Sequence, residues 1–206
     1  MSSSRLYSIL GFFAILVAVP VVVATEVAAP ADASTPAEMQ LDFANGLFRD
    51  GFFEEAVEEY EKYLAASPQA PAAGVAWYRL GEAAYAAKQY EKALEALTKA
   101  AELAPDDETK QHASLSRGEV LYFLKRHPEA ETVLAALAAP EVLPEMRGRA
   151  LYFGGKASQT QQRYDAAEKS YRSLLDALPE HALAPYARYE LALVMLAMND
   201  LEKAAV

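Results

Sequence analysis

Five alanines, Ala56, Ala93, Ala130, Ala167 and Ala204, recur at a fixed step of 37 residues, and four other series keep the same step. Twelve residues before each alanine stands a small residue: Ala44, Gly81, Gly118, Gly155 or Ala192. Three before each stands Phe53, Tyr90, His127, Tyr164 or Leu201. Tyr60, Leu97, Leu134 and Tyr171 follow the first four alanines by 4 residues, and Pro68, Pro105, Val142 and Pro179 follow them by 12. Alanine is common in this chain, so one spaced series could be chance. Five aligned series of different chemistry are not. A repeat of this length implies one supersecondary unit that cannot bury its apolar face alone and must stack on copies of itself.

The unit itself reads as two helices. In its second copy the apolar spacing predicts helix A over 75–87 and helix B over 90–103, with Lys88-Gln89 between them as the turn. Pro105 halts the second helix because it cannot continue the hydrogen-bond ladder. Gly81 and Ala93 are small where the helices cross closely, and Tyr90 and Leu97 fill the space beside the crossing. The expected fold is therefore all-α, a solenoid of antiparallel helix pairs. Its units are 37–73, 74–110, 111–147, 148–184 and an incomplete 185–206, whose helix B would begin near Leu201. Leu191, Val194 and Met195 need a cover that such a short unit lacks, which reads either as a piece of a longer protein or as a partner-covered end.

These residues resemble the tetratricopeptide repeat. Trp77, Leu80 and Gly81 reproduce its Trp-x-x-Leu-Gly opening, and Ala93, Leu97 and Pro105 fall on its later marks. The tyrosine of helix A is displaced by one residue to Tyr85, and Ser114 and Arg117 stand where the third unit should have Trp and Leu. The resemblance runs from Ala37 to the C-terminus and implies a right-handed superhelix. Lengthened units in an exported chain look like those of envelope proteins related to the outer-membrane assembly lipoprotein and the Tol–Pal coordinator.

Export is read from the other end of the chain. A short polar start with one cation, Arg5, precedes the uncharged apolar run from Leu6 to Val23, and small residues follow at Ala24. That order is a secretory signal over 1–24, with an uncleaved membrane anchor as the alternative. Residues 25–36 are rich in Ala and Pro and read as a flexible linker. The expected destination is the periplasm or the exterior. Without cysteine, an exported chain must draw its stability from apolar burial. Its net charge of −10 disfavours nucleic acid and anionic membrane surfaces as partners.

Chemistry is sparse. His112, His127 and His181 stand apart with no His-Glu-x-x-His spacing, and His127 reads as a packed ring in an aromatic slot. Neither a Gly-x-Ser-x-Gly elbow nor a phosphate loop occurs, so no catalytic residue, metal or cofactor is assigned. The pairs Glu54-Glu55 and Glu58-Glu59 fall on the solvated face of helix B. In the pair Gly154-Gly155, close packing accounts for the second glycine and nothing in the pattern accounts for the first.

The resemblance also implies that helix A lines a concave groove. Tyr78, Tyr152 and Tyr189 then share one inner site with Leu41 and Leu115, and Phe48, Tyr85, Tyr122, Gln159 and Leu196 lie one turn along. Asn45, Glu82, Glu119 and Lys156 are the polar groups among them. Aromatic rings offer large contact area at small entropic cost. The expectation is a scaffold, not an enzyme, that holds an apolar or basic peptide or protein segment at Phe48, Asn45, Tyr78, Glu82, Tyr85, Tyr122, Tyr152 and Tyr189. The alternatives are the repeat platform of a larger envelope enzyme, with its catalytic module beyond residue 206, and self-association through the uncapped last repeat.

Overall fold

The computed structural model describes residues 35–204, with side chains as far as Asn199. The apolar run Leu6 to Val23 and nearly all of the linker lie outside these residues. Among the described residues there are nine helices and no strand. They are α1 (Pro36–Arg49), α2 (Phe53–Ala66), α3 (Ala73–Ala86), α4 (Tyr90–Leu103), α5 (Asp107–Phe123), α6 (His127–Ala135), α7 (Pro144–Thr160), α8 (Tyr164–Ala177) and α9 (Ala184–Ala204). Odd-numbered helices are the A helices of the 37-residue units and even-numbered ones the B helices. Each helix packs on its sequence neighbours, and buried apolar residues fall into three successive clusters along the stack. The chain is an all-α solenoid of helix pairs.

Both ends of the first helix are legible in its residues. The Thr35 hydroxyl accepts from the Glu38 N–H at 3.2 Å while the Glu38 carboxylate accepts from the Thr35 N–H at 2.7 Å, a reciprocal capping box. Pro36 occupies the first turn, where its missing N–H costs nothing. The last two residues of the expected linker thus belong to the helix start.

Every A-to-B turn is the same device. Gly51, Lys88, Lys125 and Gln162 take φ values of +85°, +58°, +61° and +58°. The residue after each one donates its N–H back five positions: Phe52 to Leu47, Gln89 to Ala84, Arg126 to Leu121 and Arg163 to Ser158. This is the six-to-one closure of a Schellman cap. Three of the four left-handed residues are not glycine, which costs about 1 kcal/mol apiece. The fifth position in this register is Asn199, yet α9 runs straight through it to Ala204, against the expected turn before Leu201. In the other units a packed B helix holds the left-handed residue in place. Beyond Asn199 the backbone keeps its N–H groups satisfied by continuing the ladder.

The close crossing within a unit differs in detail from the expected glycine-on-alanine contact. A Cβ on Gly81 would lie 2.5 Å from Leu97 Cγ, one on Gly118 2.5 Å from Leu134 Cδ2, and one on Gly155 2.6 Å from Tyr171 Cε1. The small residue of helix A therefore seats the large residue 16 positions on in helix B. Ala93 is fully buried, but it is not what the glycine accommodates.

Gly154 has no such neighbour: its Cβ would meet only Leu134 Cβ, at 3.9 Å. Adjacent glycines should then respond oppositely to the same substitution. Gly155→Ala is expected to lower stability by about 1–3 kcal/mol through overpacking against the buried Tyr171 ring. Gly154→Ala should raise it by about 0.5–1 kcal/mol through helix propensity. Urea denaturation of the two variants measures both, and equal shifts of the same sign would contradict this packing.

Candidate functional site

Curvature decides which face could receive a partner. The backbone of each A helix comes close to that of the next A helix as well as to its own neighbours, whereas B helices among those described meet only through side chains such as Glu61 and Lys92. The A helices therefore form the inner wall and the B helices the outer wall. The inner wall is where sequence register placed the tyrosine rows.

The structure joins part of those rows into one chain of rings. Tyr85 packs on Phe123 at 5.9 Å between centroids, Phe123 meets Tyr122 edge-on at 5.5 Å, and Tyr122 meets Phe153 at 5.7 Å. Phe153 is edge-on to Tyr152 at 5.4 Å, and Tyr152 reaches Tyr171 at 6.2 Å. Tyr90 stacks almost parallel on Phe123, 8° apart in plane. Tyr78 is half-buried beside His112, 6.2 Å between rings. His127 lies against Tyr122 at 5.3 Å, in the packed role its slot implied.

Hydroxyl partners separate two kinds of tyrosine here. Tyr60 donates to Asn45 Oδ1 at 2.7 Å and Tyr171 to Gln159 Oε1 at 2.8 Å, and both rings are fully buried within their own units. Tyr85, Tyr122 and Tyr152 are half-buried, and their hydroxyls bond to no other described residue. Their rings are spent on packing and their polar tips are not.

Other expected site residues are placed differently. Asn45 Oδ1 accepts from the Tyr60 hydroxyl, which fixes the orientation of its amide. Phe48 sits outside the ring chain, edge-on to Phe53 across the α1–α2 turn at 5.6 Å. Tyr189 lies on α9 with 64% of its surface exposed, and Tyr186, one turn earlier, is 60% exposed. Glu82 has one carboxylate oxygen buried without a hydrogen-bond partner, close enough to Tyr78 to raise its pKa.

Ion pairs tie adjacent A helices together along the same wall. Glu119, 1% exposed, receives two bonds from Arg149 at 2.7 and 2.8 Å, and Lys156 Nζ lies 2.6 Å from Glu190. Burial pushes the Glu119 carboxyl up, against the lowering by Arg149. Burial opposes the charges of Arg149 and Lys156 as well, but their carboxylate partners hold both pKa values above the usual range. Removing one member of a buried pair strands the other, which is why such pairs fix a relative arrangement more than they add stability.

Sequence register pointed to Glu119 and Lys156 but missed their partners. Arg149 and Tyr186 follow His112 at the 37-residue step, so that row was visible in the repeat. Phe123 and Phe153 each follow a tyrosine already singled out. One position along a helix turns the side chain by about 100°, and only the neighbouring unit brings it back into contact.

Among the described residues no group of three or more His, Cys, Asp or Glu could hold a metal ion. His181 stands apart as a structural residue. Its Nδ1 accepts from the Leu183 N–H at 3.0 Å, and its Nε2 lies 3.2 Å from the Glu145 carbonyl oxygen. The Glu54, Glu55 and Glu58 side chains are exposed on α2, while Glu59 is held by Lys62 and Gln40.

A family model described as tetratricopeptide repeat matches residues 41–108 and 154–205, leaving out the unit in which Ser114 and Arg117 break the pattern. No curated protein matches the sequence. Among solved structures, MamA from Desulfovibrio magneticus RS-1 is 22% identical with a TM-score of 0.67, over 82% of this chain and 89% of its own. YrrB, described as a tetratricopeptide protein with an unusual peptide-binding site, is 22% identical at a TM-score of 0.64, over 82% and 80%. A tetratricopeptide repeat protein from Parabacteroides merdae is 18% identical at 0.65, over 81% and 63%. At these identities the likeness is one of fold.

The buried phenols make the stack alkali-sensitive. Burial pushes Tyr60, Tyr78 and Tyr85 up to about 12, with Glu82 adding to the shift at Tyr78 and Glu119 at Tyr85. A pKa raised on folding means the protonated phenol favours the folded chain. That stability is complete below pH 10 and is lost as pH rises towards 12. Helical circular dichroism should therefore fall together with late tyrosinate absorbance over this window. Titration of all tyrosines near pH 10 with full helicity would contradict the burial described.

Proposed function

The chain belongs to the tetratricopeptide repeat family, and on that premise we propose that it is a non-catalytic adaptor of the cell envelope, holding a peptide or protein segment against its inner wall. Repeats of this family build protein–protein interaction scaffolds, and that coarser role follows from membership. The observation that carries the finer reading is the row of uncommitted hydroxyls. Tyr85, Tyr122 and Tyr152 pack their rings into a continuous apolar strip and leave three polar tips without a partner among the described residues. A bound backbone needs what such a strip offers, apolar area for side chains and hydrogen-bonding groups for its amides. YrrB, similar in fold, is described as having a peptide-binding site, which supports the same use of the scaffold.

The acidic balance favours a segment that is apolar or basic. Glu82 and Glu119 face Arg149 in the middle of this wall and Arg79 lies over the Tyr78 ring, so the local charges balance and the preference rests on the net charge of −10. The envelope assignment rests on the basic, apolar and small order of residues 1–24. Fractionation should place the chain outside the cytoplasmic membrane, and recovery only with cytosol would remove that part of the proposal.

Replacing the three tyrosines by phenylalanine tests the wall without disturbing its packing, because the rings remain. Affinity isolation from an envelope extract, quantified by mass spectrometry, should show a partner retained by the wild type and depleted about tenfold by Y85F/Y122F/Y152F, the order expected for a few lost hydrogen bonds. Equal capture by both proteins, with unchanged thermal unfolding, would remove the groove reading.

A further inference from the structure

The unexplained Gly154 belongs to a second surface, on the outer wall. Its place in the repeat is taken by Phe43, Leu80, Arg117, Gly154 and Leu191 in the five units. In the second unit Leu80 is buried, and a hollow of about 240 Å³ lies against it between α2, α3 and α4. The matching hollow two units on, between α6, α7 and α8, measures about 380 Å³.

Two differences enlarge it: α6 ends at Ala135, where α2 continues to Ala66, and the side chains are smaller. Leu64, Trp77 and Leu80 of the smaller one become Ala138, Leu151 and Gly154 in the larger. Lys99 lies over the Trp77 ring, 4.2 Å from its centroid, and its counterpart is Ser173. Each of these four positions loses volume. The larger hollow has an apolar floor in Leu134 and Leu151, space of leucine size where Gly154 lacks a side chain, and hydroxyl-bearing Ser158 and Ser173 along its wall.

The charge changes as well, from balanced to positive. Glu61 and Glu95 line the smaller hollow and are paired there, Glu61 with Lys92 at 2.7 Å and Glu95 with Lys99 at 2.8 Å. Their counterparts in the larger hollow are Ala135 and Lys169, and Arg147 joins the lining. Glu131 is held at 2.6 Å by Arg163, whereas Arg147 and Lys169 make no ion pair with another described residue. Arg147 donates its Nε–H to the Ala138 carbonyl at 3.2 Å, and in a chain of net charge −10 a hollow with two cations that lack a carboxylate partner is a local reversal. Pockets that hold small ligands begin at about 300 Å³, a size the larger hollow passes and the smaller does not.

We infer that the hollow at Gly154 binds a carboxylate borne next to a leucine-sized apolar group, and that its occupant is the C-terminal residue of a partner polypeptide. The apolar side chain fills the space that Leu80 fills in the second unit. The terminal carboxylate is met by Arg147 and Lys169, and the open outer side lets the preceding main chain leave. This surface is distinct from the tyrosine strip and stands or falls separately from it.

The probe is acetyl-Ala-Ala-Leu with a free C-terminus, titrated into the full chain while amide shifts are followed by nuclear magnetic resonance. Its C-terminal amide and 4-methylpentanoate are the comparison arms. The free acid should give saturable shifts confined to the α6–α8 region, and Lys169→Glu should weaken it about tenfold, as for loss of a charge-assisted bond. Gly154→Leu should abolish binding while its urea midpoint stays at or above that of the wild type. Any of four results would overturn the inference: no saturable shift at millimolar peptide, equal binding of the amide, unchanged binding to Gly154→Leu, or 4-methylpentanoate binding as tightly as the peptide. The last would assign the same chemistry to a free small carboxylate instead of a chain end.

Discussion

The stack depends on one close approach repeated along the chain, a helix-A residue with little or no side chain beneath a large helix-B residue 16 positions later. Gly81 under Leu97, Gly118 under Leu134 and Gly155 under Tyr171 each leave no room for a methyl group. Bringing the helices this near lets each pair bury Leu97, Leu134 or Tyr171 completely, and it orients the remaining apolar face towards the next unit. The backbone bends to serve that contact. Lys88, Lys125 and Gln162 accept a left-handed conformation that glycine would adopt more cheaply, so packing of the following helix outweighs the local cost.

How much of this the sequence disclosed follows from which interactions keep the repeat. Fold class, the Lys88-Gln89 turn and the limits of α4 were legible because they rest on series that recur every 37 residues. The capping box Thr35-x-x-Glu38 was equally local, though a proline-rich approach disguised it as linker. The partner of the small residue was not legible. Ala93 and Leu97 lie one turn apart on the same helix, and only the crossing angle decides which of them the glycine meets.

Inner-wall contacts were harder still, because they join different units. Register placed Glu119 and Lys156 on one surface, but their partners Arg149 and Glu190 come from the next unit, 30 and 34 residues away. Those separations fall short of the 37-residue step because the bonds lean across the stack. Tyr122 and Phe123 show the same limit. Being adjacent in sequence, they point in different directions from α5 and still enter one chain of rings, since α3 and α7 approach from opposite sides. A pattern read within one helix cannot supply that third dimension.

Repetition also provides an internal control that a single domain lacks. Where two units share backbone and register, a difference between them isolates what the side chains alone do. The outer hollows of the second and fourth units come near such a comparison: α3 and α4 match α7 and α8 in register, while α6 ends at Ala135 where α2 continues to Ala66, so one hollow has Leu64, Leu80 and the Lys99–Trp77 contact and the other Ala138 beyond its helix, Gly154 and Ser173. Drift under packing constraints tends to conserve volume, because a vacated core position costs stability and an exposed pair costs little either way. Loss of volume at four positions around one hollow, accompanied by a change from balanced to positive charge, is not what packing alone would select. Its helix would gain from alanine at Gly154, so the fourth unit forgoes stability at the floor of this hollow.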